Sequence, residues 1–291
     1  MSEVSEPSLK GSRGPSSPSG LLVLGLNPGL QTILRLRALD LGQVNRAEAA
    51  MTGVGGKGQN AAKAAQTLLS KLRPESMCAV MVAQFLGGTT GDEVQRLLSQ
   101  QGIQDITTQT GAMTRQLVTL VDYAAGPASG SHVDPVVTEL IAPSQPIHDA
   151  ASREMLAKVT EAAPSFKCIL LMGTWPSGTS AEIYGAAAAA KASGAQCLLD
   201  AVKPVEDISN LLASGNVDIY KVNAMEVCTL MGMVSAQGVR EGEVHEHQVR
   251  EAVSKMFDRY PGVRHVAITV PGLQVDSKTL MISFLPFPTQ N

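Results

Sequence analysis

The sequence predicts a doubly wound α/β fold on a mainly parallel sheet. Three observations predict it: short apolar runs alternate with stretches of helical period from Leu21 onward, the runs are of strand length, and turn-forming residues follow most of them. The candidate core strands are residues 21–26, 78–85, 168–172, 196–199, 217–220 and 265–270. Their spacing leaves room for the covering helices that parallel crossovers require. In one such helix Ala61, Ala64, Ala65, Leu68, Leu69 and Leu72 recur at i, i+3, i+4, i+7, i+8 and i+11, which predicts a single apolar stripe opened by the glycine turn at 55–58. The alanine run at 186–190 reads as another covering helix, because alanine has the highest helix propensity.

Two stretches break this rhythm. Residues 33–53, and 114–123 with its alternating Leu117, Thr119 and Val121, read as extended hairpin-like segments able to form a small sheet of their own. Residues 126–131 read as a flexible loop and 239–247 as a solvated charged segment. Residues 1–20 are rich in Ser, Pro and Gly, and this tail is expected to be disordered, with 21–291 forming one α/β unit. The tail has no apolar core of a signal peptide, and Glu3 and Glu6 argue against an acid-poor transit peptide, so the expected location is the cytoplasm.

Hydrophobic residues make up 44% of the chain and charged residues 17%, proportions that fill a core and exclude a disordered chain. A net charge of -3 supplies no basic field for nucleic acid, and no apolar run approaches the roughly 18 residues of a membrane span. Cys78, Cys168, Cys197 and Cys228 lie far apart and read as reduced, structural thiols.

Several motifs carry chemistry beside a plain structural reading. Gly53, Gly55 and Gly58 fit G-x-G-x-x-G, but residues 48–52 are not a convincing buried strand and no acid follows at the spacing of a dinucleotide site. Lys57 is followed by glycine, so there is no Walker A sequence either. What remains is a glycine turn with an ammonium at a helix start. It suits an anion, and it equally describes a tight turn with a solvated lysine. Asn223 and Glu226 follow an apolar strand, at the sheet end where ligands bind, yet their spacing is also that of a helix-capping pair. Asp92, in the turn at 87–92, reads as support for the first turn of a helix. His245 and His247 read as a solvated loop, and Trp175 as a pocket wall or core.

Taken in order, these segments resemble the PfkB family of carbohydrate kinases, and within it the hexose-phosphate branch of 1-phosphofructokinase and tagatose-6-phosphate kinase. LNPGL at 26–30 resembles the branch's L-N-P-x-L, LGQVNR at 41–46 its L-G-E-V-N-R, and GGKGQN at 55–60 the signature G-G-K-G-x-N. Thr114-Arg115 is similar to the T-R before a lid strand, Thr138-Glu139-Leu140 to T-E-[IL], and GTWPSG at 173–178 to S-G-S-L-P-P-G. KVNAME at 221–226 resembles K-P-N-x-x-E, with Val222 in place of proline.

The resemblance implies a ribokinase-like fold whose β lid comes from about 33–53 and 114–123. It implies transfer of the ATP γ-phosphoryl group to a hydroxyl of a sugar or sugar phosphate, with Mg²⁺ carried on the nucleotide. Substrate-binding roles fall on Asn27, Gln31, Gly55, Gly56, Lys57, Asn60, Arg115 and Glu139. Lys221, Asn223, Thr269 and Gly272 become nucleotide contacts, and Glu226 holds Mg²⁺ through water. Many members of the family pair through their lids, which implies a homodimer.

Two departures stand out. Gln31 occupies the place of an Asp that binds sugar hydroxyls, and an amide still donates and accepts hydrogen bonds. The family's G-A-G-D, anion hole and general base together, has no counterpart: after Arg264 the only glycine is Gly272 and the only acid Asp276. The chain ends at Asn291, about where the motif would stand, so the expectation is that the C-terminal part of the family fold is missing, that no catalytic residue is present and that apolar sheet surface is left uncovered. Loss of the base and of the anion hole each slows transfer by roughly 10²-fold or more. The alternative expectation is a non-catalytic sugar-phosphate or nucleotide-binding protein of the same fold.

Overall fold

A computed structural model describes residues 19–72, 78–123, 128–129, 132–133, 135–234, 244–275 and 278–284. Residues 1–18 of the expected tail, most of the expected loop at 126–131 and residues 239–243 lie outside them. The chain begins with β1 (Leu21–Leu24), β2 (Gly29–Leu36), β3 (Ala49–Gly55), α1 (Lys57–Leu72), β4 (Val80–Leu86), α2 (Gly88–Gln100), β5 (Gln104–Gln109) and β6 (Gln116–Asp122). The short pair β7 (Ala128–Ser129) and β8 (His132–Val133) precedes β9 (Val136–Ile141), α3 (Asp149–Ala162), β10 (Cys168–Met172), α4 (Glu182–Ala188) and β11 (Gln196–Asp200). Then come α5 (Val205–Ala213), β12 (Ile219–Asn223), α6 (Ala224–Leu230), α7 (Glu246–Arg259), β13 (His265–Val275) and β14 (Lys278–Phe284).

Eight strands form the main sheet in the order β14-β13-β12-β11-β10-β1-β4-β5, parallel throughout except for β14. Both faces of its central strands are buried. Leu22 and Leu24 of β1 face one core with α3 to α7, while Val23 faces a second core with α1 and α2. This two-sided burial is why the strands read as continuous apolar runs rather than as alternating ones. Strand order reverses at β1, where the chain passes to β4 on one side and later to β10 on the other. A crevice at the carboxyl ends of the strands is expected at that reversal. No helix among the described residues is long and apolar enough to cross a membrane.

The stretches read as extended enter a separate sheet, β3-β2-β6-β9. It reaches further than 33–53 and 114–123: β2 begins at Gly29, and β9 supplies a fourth strand. β2 pairs antiparallel with β3 but parallel with β6, so a single hairpin does not describe it.

Other expectations need correction. On α1 the buried residues are Gly58, Gln59 and Ala62, whereas Ala64 is exposed and Leu68 and Leu72 are 57% and 70% exposed. Ala61, Ala65 and Leu69 of the stripe do pack against the second core, but the helix is rotated from the stripe's centre because Gly58 lies directly on Gly25 of the β1 exit: a Cβ at Gly58 would fall 2.4 Å from the Gly25 Cα. β5 was not anticipated, since its sequence QDITTQ has one strongly apolar residue. β12 starts at Ile219, two residues later than expected, and so carries Lys221 and Asn223 at its end. Asp92 is exposed beyond the first turn of α2, which starts at Gly88. His245 caps α7 and His247 lies within it, their rings stacked 5.8 Å apart, rather than in a loop. Trp175 packs edge-on against buried Tyr184 with centroids 5.0 Å apart. Cys168, Cys197 and Cys228 are free thiols, and burial together with nearby Asp218 pushes that of Cys197 up to about 12.

Asp218 joins three elements at the amino ends of the strands. It accepts the Cys197 amide at 2.9 Å and pairs with Lys191 at 2.9 Å and Arg264 at 2.8 Å. Burial alone would raise its carboxyl, but that amide and the two cations hold it below the usual carboxylate range. Because folding lowers this pKa, the stabilisation is complete above the unfolded value of about 3.9 and is lost as pH falls through the folded one. Asp218→Asn is expected to cost about 2–3 kcal/mol at neutral pH, less than a fully enclosed pair because both cations reach solvent. Denaturant melts at pH 7 and pH 3 check this: the difference between variant and parent shrinks at the lower pH.

Candidate active site

Each functional side chain is placed by a backbone constraint at the carboxyl ends of the strands. Gly56 adopts φ +117°, and a side chain there would put its Cβ 2.4 Å from the Gln59 Oε1. Only glycine fits, and the sharp turn it makes sets Lys57 as the first residue of α1. The Lys57 stem then passes over Gly173, whose Cβ would stand 3.4 Å from that of Lys57. Gly173 is itself held by donating its amide to the Asp200 carbonyl at 2.8 Å. The hydroxyl of buried Tyr184 donates to the Met172 carbonyl at 2.8 Å, which fixes the end of β10. Burial raises that phenol well above its ordinary pKa, so it remains a donor.

A cavity of about 240 Å³ opens at the strand reversal. Gly25 and Asn27 line it from the β1 exit, Lys57, Gly58 and Gln59 from α1, Met172, Gly173 and Thr174 from the β10 exit, and Ala201, Val202 and Lys203 from the β11 exit. Arg115 closes it from the start of β6. The Arg115 guanidinium donates to the Asn27 carbonyl at 2.8 Å and the Pro28 carbonyl at 3.2 Å, and burial lowers its pKa. The Asn27 side chain accepts the Ser144 hydroxyl at 2.6 Å. Three cations, Lys57, Arg115 and Lys203, and no carboxylate stand among these lining residues, with Lys57 paired to Asp200 just behind them. That arrangement suits a small anionic ligand.

Asn27, Lys57 and Arg115 are therefore brought together as the sequence suggested, with Gly55 and Gly56 in the adjoining turn. Gln31 stands beside Gly55 in the small sheet and donates to the Thr119 hydroxyl at 2.9 Å. Glu139 lies opposite Thr119 in the register and is exposed. Asn60 is exposed on the first turn of α1; neither it nor Glu139 lines the cavity.

A second group gathers at β12 and β13. Asn223 and Glu226 form the capping box: the Glu226 amide donates to Asn223 Oδ1 at 2.7 Å, and the Asn223 amide donates to Glu226 Oε2 at 2.8 Å. Thr269 pairs with Asn223 across the sheet, and Gly272 lies where the pairing of β13 with β14 shifts register. The two groups are joined by Asp200, the last residue of β11, which the sequence reading missed. Its two oxygens take Lys57 at 2.8 Å and Lys221 at 3.0 Å. An acid directly after the strand predicted at 196–199 was the available signal. Lys203, also missed, adds a cation at the cavity.

The fit of Mg²⁺ follows from the donors present. Among the described residues no three acids, histidines or cysteines cluster as a metal cage. One oxygen of Glu226 is engaged by its own cap, and the other would be the one to meet a water of the ion's shell. That suits an ion that keeps its waters and rides on a nucleotide.

Comparison with known proteins bears on the fold and the family. Phosphofructokinase-2 from Escherichia coli, in complex with fructose-6-phosphate, is similar in fold at TM-score 0.69 and 21% identity, over 94% of this chain and 81% of that one. A possible 1-phosphofructokinase from Thermotoga maritima matches at TM-score 0.66 and 13% identity, over 90% and 74% of the two chains. Ribokinase from Giardia lamblia matches at TM-score 0.66 and 18% identity, over 92% and 75%. The fold is ribokinase-like. No curated protein matches the sequence. The model of the pfkB family carbohydrate kinases matches residues 31–272, most of the chain, and the protein belongs to that family.

Proposed function

We propose that the protein transfers the γ-phosphoryl group of ATP, carried with Mg²⁺ in the cytoplasm, to a hydroxyl of a hexose phosphate. The observation that carries this reading is the cation-lined cavity at the strand reversal, joined through Asp200 to the residues at β12 and β13. Lys57 and Arg115 hold the acceptor's existing phosphate, a planar guanidinium being suited to two of its oxygens. Asn27, Gln31, Asn60 and Glu139 address sugar hydroxyls, the last three once the small sheet closes as a lid and excludes water. Lys221, Asn223, Thr269 and Gly272 contact the nucleotide, and Glu226 orients the waters of Mg²⁺, which supplies charge neutralisation on the transferring phosphoryl group. Fructose 6-phosphate heads the candidate acceptors, because the E. coli neighbour is named in complex with it.

The test is ADP release with Mg²⁺-ATP against fructose 1-phosphate, fructose 6-phosphate, tagatose 6-phosphate and free sugars, with Glu226→Ala as control. A second reading, ligand binding without turnover, is favoured by the lack of any carboxylate among the described residues lining the cavity. Ligand-dependent thermal shifts with no ADP release would select it. Under the kinase reading, Arg115→Lys is expected to raise KM for the sugar phosphate about tenfold with kcat within about threefold, since it removes mainly binding held in common by ground and transition states. Pairing of two chains belongs to the same proposal: Met51, Val137 and Ile141 stand exposed on the small sheet. Ile141→Asp is expected to convert a dimer to a monomer in sedimentation velocity.

A further inference from the structure

We infer that Asp200 is a positioning residue that couples the two halves of the site, so that a sugar phosphate at Lys57 and a nucleotide at Lys221 weaken each other's binding. The inference rests on the kinase reading above. Lys57 arrives from the start of α1 and Lys221 from β12, and each ammonium takes a different oxygen of the one carboxylate, at 2.8 and 3.0 Å. The Asp200 side chain is 7% exposed, against 48% for Lys57 and 31% for Lys221. The lysines can move toward ligands, but the carboxylate cannot follow them. It is fixed in the middle of the sheet, where its backbone pairs with Met172 of β10 and its carbonyl accepts the Gly173 amide.

A carboxylate so buried tolerates the loss of one cation far better than the loss of both, because an uncompensated charge in the interior is strongly unfavourable. The first phosphate to draw away one lysine therefore leaves the other as the sole partner of Asp200. That second lysine is then held back from its own ligand. The effect is reciprocal, as any coupling of two binding equilibria must be. It differs from direct repulsion between two bound phosphates, which does not need Asp200.

Titration calorimetry on the full chain tests this with fructose 6-phosphate and a non-hydrolysable ATP analogue plus Mg²⁺, each measured without and with saturating amounts of the other. The expected result for the parent protein is an affinity loss of about tenfold for each ligand when the other is present, within the usual range of site–site coupling. In Asp200→Asn, which keeps the shape and removes the charge, the loss falls to less than about twofold. Lys221→Met is the second variant, should the first fail to fold by circular dichroism. There Asp200 stays with Lys57 whatever the nucleotide site holds, and antagonism again disappears. Undiminished antagonism in a folded variant, or independent binding of both ligands to the parent, would overturn the inference while leaving the kinase reading intact. Failure of the parent to bind either ligand would overturn the kinase reading and the coupling with it.

Discussion

Replacing Lys57 by methionine is expected to lower ADP release with fructose 6-phosphate by about 100-fold or more while moving the melting temperature little. The ammonium stands at the start of a 16-residue helix, where free amides and the dipole already favour an anion. Removing a charge-assisted contact to the acceptor's existing phosphate costs up to about 3 kcal/mol, on the order of 10²-fold in kcat/KM. Methionine keeps an unbranched stem to lie over Gly173, so packing is retained and charge alone is lost. Asp200 keeps Lys221 at 3.0 Å, which is why the fold survives the change. Steady-state kinetics with a melting curve on the same preparation make the check. Unchanged ADP release would mean that Lys57 serves only as a partner of Asp200 and that Arg115 and Lys203 hold the anion.

The second large effect is expected from Gly58→Ala. An alanine in place of glycine inside a helix ordinarily stabilises by up to about 1 kcal/mol. Here the sign reverses. The new Cβ would lie 2.4 Å from the Gly25 Cα and 3.0 Å from its nitrogen, atoms of a backbone fixed by the bond from the Gly25 amide to the Ala83 carbonyl at 3.0 Å. No side chain can swing aside, so α1 must lift from β1. A loss of about 3 kcal/mol is expected, at the upper end of overpacking effects, and Lys57 is carried out of register with Asp200. Gly53→Ala is the control, because a Cβ at Gly53 meets nothing within 4 Å. Urea denaturation of both variants distinguishes a local clash from a general intolerance of the glycine turn.

Much of the α/β order could be read from the chain because parallel strands buried on both faces must be apolar along their whole length, as at Leu21–Leu24 and Cys168–Met172. β5 escaped notice for the converse reason. An edge strand with Thr107 and Gln109 needs apolar residues on one face only, and Ile106 was too little to reveal it. The apolar stripe on α1 misled because period records which residues could face inward. Contact between Gly25 and Gly58 decides which ones do.

Local sequence suffices for the glycine turn, the capping box of Asn223 and Glu226 and the placement of Lys57 at a helix start, since each is settled by backbone sterics and by amides within a few residues. That Lys57 and Lys221, 164 positions apart by their numbers, share the carboxylate of Asp200 follows from the folded chain alone. That choice depends on strand order, because β11 lies beside β12 and α1 packs across β1 and β10, and no periodicity within a segment encodes which strands become neighbours.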